Sequence, residues 1–125
     1  VIAGKQQVKR HVLIAEDEKV LAEMLSDLFE DAGYEVITFQ TADEACANLH
    51  QHVDKLDLLF TDVKMPGSKT GIDLVFAART NRPDLPIIVS SGYFDGPIQQ
   101  ISHVTLLPKP WSLEKLLDVC GLDPI

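Results

Sequence analysis

The chain has 125 residues, 46% of them hydrophobic and 24% charged, the proportions of one soluble globular domain with a real core. A formal net charge of -8, with no cluster of Lys or Arg, excludes sequence-independent binding to a phosphate backbone and leaves solubility, a cation or a basic partner as the uses of the acidity. No apolar stretch reaches the ~20 residues of a membrane span, so no membrane insertion is expected, and Cys46 and Cys120 lack the spacing of a disulfide framework, which suits a reducing cytoplasm.

The stretch "VIAGKQQVKR" has no signal-peptide core, and residues 1–8 are expected to be a flexible tail before a single domain over 9–125. "HVLIAED" reads as a buried strand. In "EKVLAEMLSDLFEDAGY" the apolar residues Val20, Leu21, Met24, Leu25, Leu28 and Phe29 recur at helical spacing, and Gly33 supplies the stop. "EVITF" is a second strand, and "TADEACANLHQH" a helix opened by Thr41, with Glu44 three residues on in a capping-box pattern. "LDLLFTD" is a third strand and "GIDLVFAARTNRP" a helix closed by Pro83. After the strand "PIIVSSG" come a short segment "YFDGPIQQIS", the strand "HVTLLP" and a last helix "SLEKLLDVC".

Five fully apolar strands alternating with four amphipathic helices predict an α/β domain, a doubly wound parallel sheet covered on both faces. Ligands of such sheets bind beyond the carboxyl ends of the strands. Those ends carry Glu16 and Asp17 after the first strand, Asp62 after the third, Ser90 and Ser91 after the fourth, and Lys109 after the fifth. Three carboxylates in one cleft repel one another unless a cation offsets them. Hard oxygen ligands without Cys or His suit Mg2+, and Lys109 adds a fixed positive charge. A hydroxyl and a lysine beside a metal-bound carboxylate are the parts needed to pass a phosphoryl group onto an oxygen, so the chemistry implied is an aspartyl phosphate.

Through "LIAEDE", "LLFTDVKMPG", "IIVSSGY" and "LLPKPW", the sequence resembles the receiver domain of two-component response regulators over about residues 10 to 120. The stretches "MPGSKTGIDL", "RPDLPIIVSSGY" and "LEKLLDVC" look closest to receivers of hybrid histidine kinases or to stand-alone receivers. The resemblance implies a five-stranded flavodoxin-like sheet in the order 2-1-3-4-5. It also implies that Asp62 is the phospho-acceptor, Ser91 the switch hydroxyl because Gly92 follows it, and Lys109 the contact to the phosphoryl group, with a cis Lys109-Pro110 bond. Glu16, Asp17, Asp62 and the backbone carbonyl of Lys64 would hold Mg2+. The partners implied are a histidine kinase or histidine phosphotransfer protein upstream and a protein target downstream, with no DNA binding by this domain. Such a switch catalyses only its own phosphorylation and dephosphorylation. Lys64 and Tyr93, each two residues beyond Asp62 and Ser91, would set the lifetime of the phosphorylated form.

Plainer roles exist for each residue. Glu16 and Asp17 precede a helix whose macrodipole favours anions, Asp62 precedes a turn, and a serine at a strand end often satisfies backbone. Cys46, His50 and His52 suggest zinc by type, but too few share a helix face. A degenerate receiver acting as a phosphorylation-independent interaction module is the alternative function. A Mg2+-dependent phosphatase lacks a second aspartate two residues past Asp62, where Lys64 stands, and a flavin phosphate would be repelled by Glu16 and Asp17.

The chain departs from the resemblance between the fourth and fifth strands. Only 18 positions separate Ser91 from Lys109, and Gly96 and Pro97 break the segment, so the helix expected there is short or missing. Leu106 stands where many receivers carry a rotating aromatic, leaving Tyr93 and Trp111 as the aromatics near enough to replace it.

Overall fold

The computed structural model describes residues 9–92, 98 and 100–122; the expected tail and Tyr93 lie outside the described residues. The elements run β1 (Arg10–Ala15), α1 (Lys19–Asp31), β2 (Tyr34–Phe39), α2 (Ala42–Asn48), β3 (Leu58–Asp62), α3 (Gly71–Asn81), β4 (Ile87–Ser91), β5 (Val104–Pro108) and α4 (Leu113–Cys120). All neighbouring strands are parallel, and the sheet order is β2-β1-β3-β4-β5, as the resemblance implied. No α-helix lies between β4 and β5 among the described residues.

Alternation along each strand divides the core in two. Leu13, Leu59, Ile87 and Val89 face α2 and α3, where Ala45, Leu74, Val75 and Ala78 meet them. Val12, Ile14, Phe60, Ile88 and Leu107 face the other way, onto Leu25 and Phe29 of α1 and Leu116 of α4. Each large side chain so buried stabilises the fold by about 1.5–3 kcal/mol. This two-sided burial explains why the central strands β1, β3 and β4 read as continuous apolar runs.

Local signals set the helix ends. Gly33, at φ 94, turns the chain out of α1, and Phe29 then meets Tyr34 edge-on at 5.1 Å. Thr41 caps α2 by accepting from the Glu44 N–H at 3.1 Å, and Ser112 caps α4 by accepting from Lys115 N–H at 3.1 Å. The expected helix over 41–52 is shorter than its apolar pattern suggested: α2 ends at Asn48, and two 3-10 turns, Leu49–Gln51 and Val53–Lys55, carry the chain to β3. Cys46 is half-buried in α2 and Cys120 buried at the end of α4, both as free thiols.

Candidate functional site

The register gathers the strand ends. Ala15 pairs with Thr61, Asp62 with Ser90, and Ser91 with Pro108, so the residues following β1, β3 and β5 emerge side by side. All five residues of β3 are buried, Asp62 being the last of them. Beyond it the chain turns away through Val63, whose carbonyl accepts from the Gly71 N–H at 2.8 Å as α3 begins. Gly71 has no alternative at this point, because a Cβ there would collide with the Asp62 carbonyl oxygen. That carbonyl also accepts from the Thr61 hydroxyl at 2.8 Å.

Glu16, Asp17 and Asp62 bring carboxylate oxygens within 4.8 Å of one another, and they form the only convergent group of three or more metal-binding side chains among the described residues. Opposite stands Lys109, whose Nζ donates to Asp62 Oδ2 at 3.1 Å. The other oxygen of Asp62, Oδ1, accepts from the Val63 N–H at 2.8 Å. Lys109 follows Pro108 and precedes a cis bond to Pro110, and its backbone N–H donates to the Ser91 carbonyl at 2.8 Å. Desolvation works against the Lys109 charge, but the hydrogen bond and charge of Asp62, with Glu16 and Glu18 behind them, hold its pKa above the ordinary value.

Glu16 is 1% exposed. Its Oε2 accepts from the Glu18 N–H at 2.9 Å, whereas its buried Oε1 has no hydrogen-bond partner among the described residues. Burial pushes its pKa up to about 7, with the charges of Asp62 and Asp17 adding to the rise while the Glu18 N–H and Lys109 oppose it. A buried oxygen left without a donor, in an all-oxygen acidic set, fits a hard divalent cation. The capping role open to Asp17 is not taken up, since Glu18 is the N-cap of α1 and no side chain caps that end.

The two serines part company. The Ser90 hydroxyl accepts from Trp111 Nε1 at 2.9 Å, an interaction the sequence reading did not foresee. Ser91 is the last residue of β4 and buried. Lys64 is exposed in the loop after β3, and His50 and His52 belong to no metal-binding group of three or more among the described residues.

The family model described as the response regulator receiver domain matches residues 12–120. The chain belongs to that family. Among curated relatives, the response regulator protein FleR of Pseudomonas aeruginosa is 31% identical over 112 residues, which are 86% of this chain and 23% of FleR. The receiver domain of the hybrid histidine kinase CckA is similar in structure, with a TM-score of 0.75 and 31% identity over 89% of this chain and 95% of that one. The non-phosphorylated HemR receiver domain from Leptospira biflexa has a TM-score of 0.80 and 26% identity, covering 90% of this chain and 92% of its own. The receiver thus spans about a quarter or less of the length of the curated relatives it matches first. Among the described residues no helix is long and apolar enough to cross a membrane.

The sequence pattern missed four residues that shape the site. Thr70 and Asp73 form a full capping box, with the Asp73 carboxylate accepting from the Thr70 N–H at 2.8 Å, and the Thr-x-x-Asp spacing was there to be read. Gly71 and Asp43 had no such signal, because the need for each arises from contacts with distant chain.

Proposed function

We propose that this receiver is a phosphorelay switch that accepts a phosphoryl group on Asp62 from the phosphohistidine of a histidine kinase or histidine phosphotransfer protein. The observation that carries the reading is the convergence of Glu16, Asp17 and Asp62 within 4.8 Å, with Lys109 on Asp62 at 3.1 Å. An Asp62 oxygen attacks phosphorus, the new P–O bond replaces the P–N bond to the donor, and the departing imidazole takes a proton from solvent. Lys109, already on Asp62, transfers its contact to a phosphoryl oxygen, and the Ser91 hydroxyl follows as the switch. Glu16, Asp17, Asp62 and the Lys64 carbonyl would hold Mg2+, which would supply charge neutralisation for the phosphoryl oxygens.

The donor has a surface to meet. Val20 is 81% exposed on α1 and Leu113 46% exposed on α4. A recess lined by Glu18, Leu21, Lys109, Pro110 and Trp111 joins the start of α1 to the chain before α4. Because Lys109 also contacts Asp62, a partner seated in this recess lies beside the acceptor carboxylate. Phosphorylation then alters contacts with a downstream protein, the whole exchange taking place in the cytoplasm.

Incubation with acetyl phosphate and Mg2+, followed by intact-mass measurement, tests the reading on wild type and Asp62→Asn. Wild type should gain one phosphoryl group and the variant none. A gain in both moves the acceptor elsewhere; a gain in neither leaves the phosphorylation-independent interaction module.

A further inference from the structure

We infer that Asp43, on α2, is a positioning residue for cation binding at the Asp62 site, acting by pinning the loop that carries Lys64. The inference rests on the proposed function, because Lys64 matters to the site only if its carbonyl is a ligand.

Residues 63–70 leave β3 at Asp62 and return at Gly71. The two ends are tied by Gly71 N–H to the Val63 carbonyl at 2.8 Å, and the far end by the Thr70–Asp73 capping box. Between those ties, residues 64–69 make no backbone–backbone hydrogen bond with any described residue. Met65 packs against the apolar layer beneath α2 and α3, and the polar ties of the segment come from one carboxylate on a neighbouring helix. Asp43 Oδ2 accepts from the Ser68 N–H at 3.1 Å and the Ser68 hydroxyl at 2.9 Å, and Oδ1 accepts from the Lys69 N–H at 2.7 Å. These bonds hold the Asp43 pKa below the ordinary carboxylate value. The loop fits closely around the carboxylate: Gly67 has φ 113, and a Cβ at that position would lie 3.0 Å from Asp43 Oδ1.

A loop fixed at residues 62, 63, 68, 69 and 71 leaves the intervening Lys64 little freedom. Chain that bears a metal-ligand carbonyl must be ordered before the ion arrives, or ordering it draws on the binding energy. Asp43 does that ordering from a distance, in the way outer groups orient the ligands of metal sites. Its position suits the task, since α2 rests on the same apolar layer as α3, so the clamp joins two elements that already pack together.

Isothermal titration of the metal-free protein with Mg2+ alone tests the inference, with thermal unfolding in chelator as a parallel measurement. Asp43→Ala should weaken Mg2+ binding on the order of tenfold, with one ion still bound per chain. Ser68→Ala, which removes only the hydroxyl bond, should weaken it less. Asp43→Asn keeps one acceptor oxygen and should restore part of the loss. Equal affinity in wild type and all three variants, whatever their melting temperatures, overturns the role of Asp43. If wild type itself binds no Mg2+, it is the proposed function that fails.

Discussion

With both oxygens of Glu16 withdrawn from water and only one of them hydrogen-bonded, the metal-free site resists carrying its full negative charge. A carboxyl raised from 4.5 to about 7 binds a proton more tightly in the folded chain than in the unfolded one. Between those values the native state holds the extra proton, so stability falls as pH rises, opposite to the usual trend for a paired carboxylate. In chelator, the melting temperature contributed by this group should decline from about pH 5 to about pH 8, and Glu16→Gln should flatten that slope. Parallel curves for the two proteins would refute the account. For the proposed Mg2+ site, the same linkage predicts an affinity that climbs as pH rises through about 7, because binding must displace the proton. Gly71 gives a prediction of a different kind. Gly71→Ala forces apart the start of α3 and the Asp62 carbonyl, at a cost of about 1–3 kcal/mol measurable by urea unfolding. Lys64→Ala should change the decay rate of the phosphorylated form while leaving the melting temperature within error; an unaltered decay rate would remove the Lys64 side chain from the chemistry.

At the scale of elements, the short connection from β4 to β5 sets the hardest constraint. Ser91 ends one strand and Val104 begins the next, barely the dozen residues a parallel crossover needs. The incoming chain is held from α3. The Arg79 guanidinium donates to the carbonyls of Arg82 and Leu85 at 2.9 and 2.8 Å and to those of Ser102 and His103 at 2.9 and 3.4 Å. His103 itself takes φ 61, a turn into β5 that a side chain accepts only under such restraint. Arg79→Ala should therefore cost about 2 kcal/mol and lower Tm by several degrees. Arg79→Lys should not restore it, since one ammonium cannot span four carbonyls.

These elements also show what a sequence can and cannot disclose. The central strands β1, β3 and β4 were legible because burial on both faces makes them continuously apolar, and the helices because one face of each is not. The converging Glu16, Asp17, Asp62 and Lys109 were legible because strand ends are where doubly wound sheets gather side chains. The early end of α2, the Trp111–Ser90 bond and the Asp43 clamp were not, since each depends on which distant backbone happens to lie alongside. The Arg79 cage belongs with them: nothing in "AARTNRP" marks one arginine as an anchor for residues more than twenty positions away.

For the whole molecule, the question is how a change at Asp62 reaches a partner when no α-helix spans β4 to β5 among the described residues and Leu106 replaces the usual aromatic. A phosphoryl group shifts an equilibrium only by its differential affinity for the two states. Residues 93–102 begin two positions after Ser91 in the sequence. Their amide exchange should change on adding a phosphoryl mimic with Mg2+; identical protection with and without it would send the signal elsewhere. The second route leaves through Trp111, whose indole N–H holds the hydroxyl of Ser90, the neighbour of Ser91. Trp111 is the chain's single tryptophan, and it stands two residues after Lys109. All ultraviolet-excited indole emission therefore comes from one spot, hydrogen-bonded to the Ser90 hydroxyl and two residues along the chain from the proposed phosphoryl contact. The molecule carries its own optical probe, so occupancy of the site can be followed in real time, without a label, by the colour and brightness of its own light.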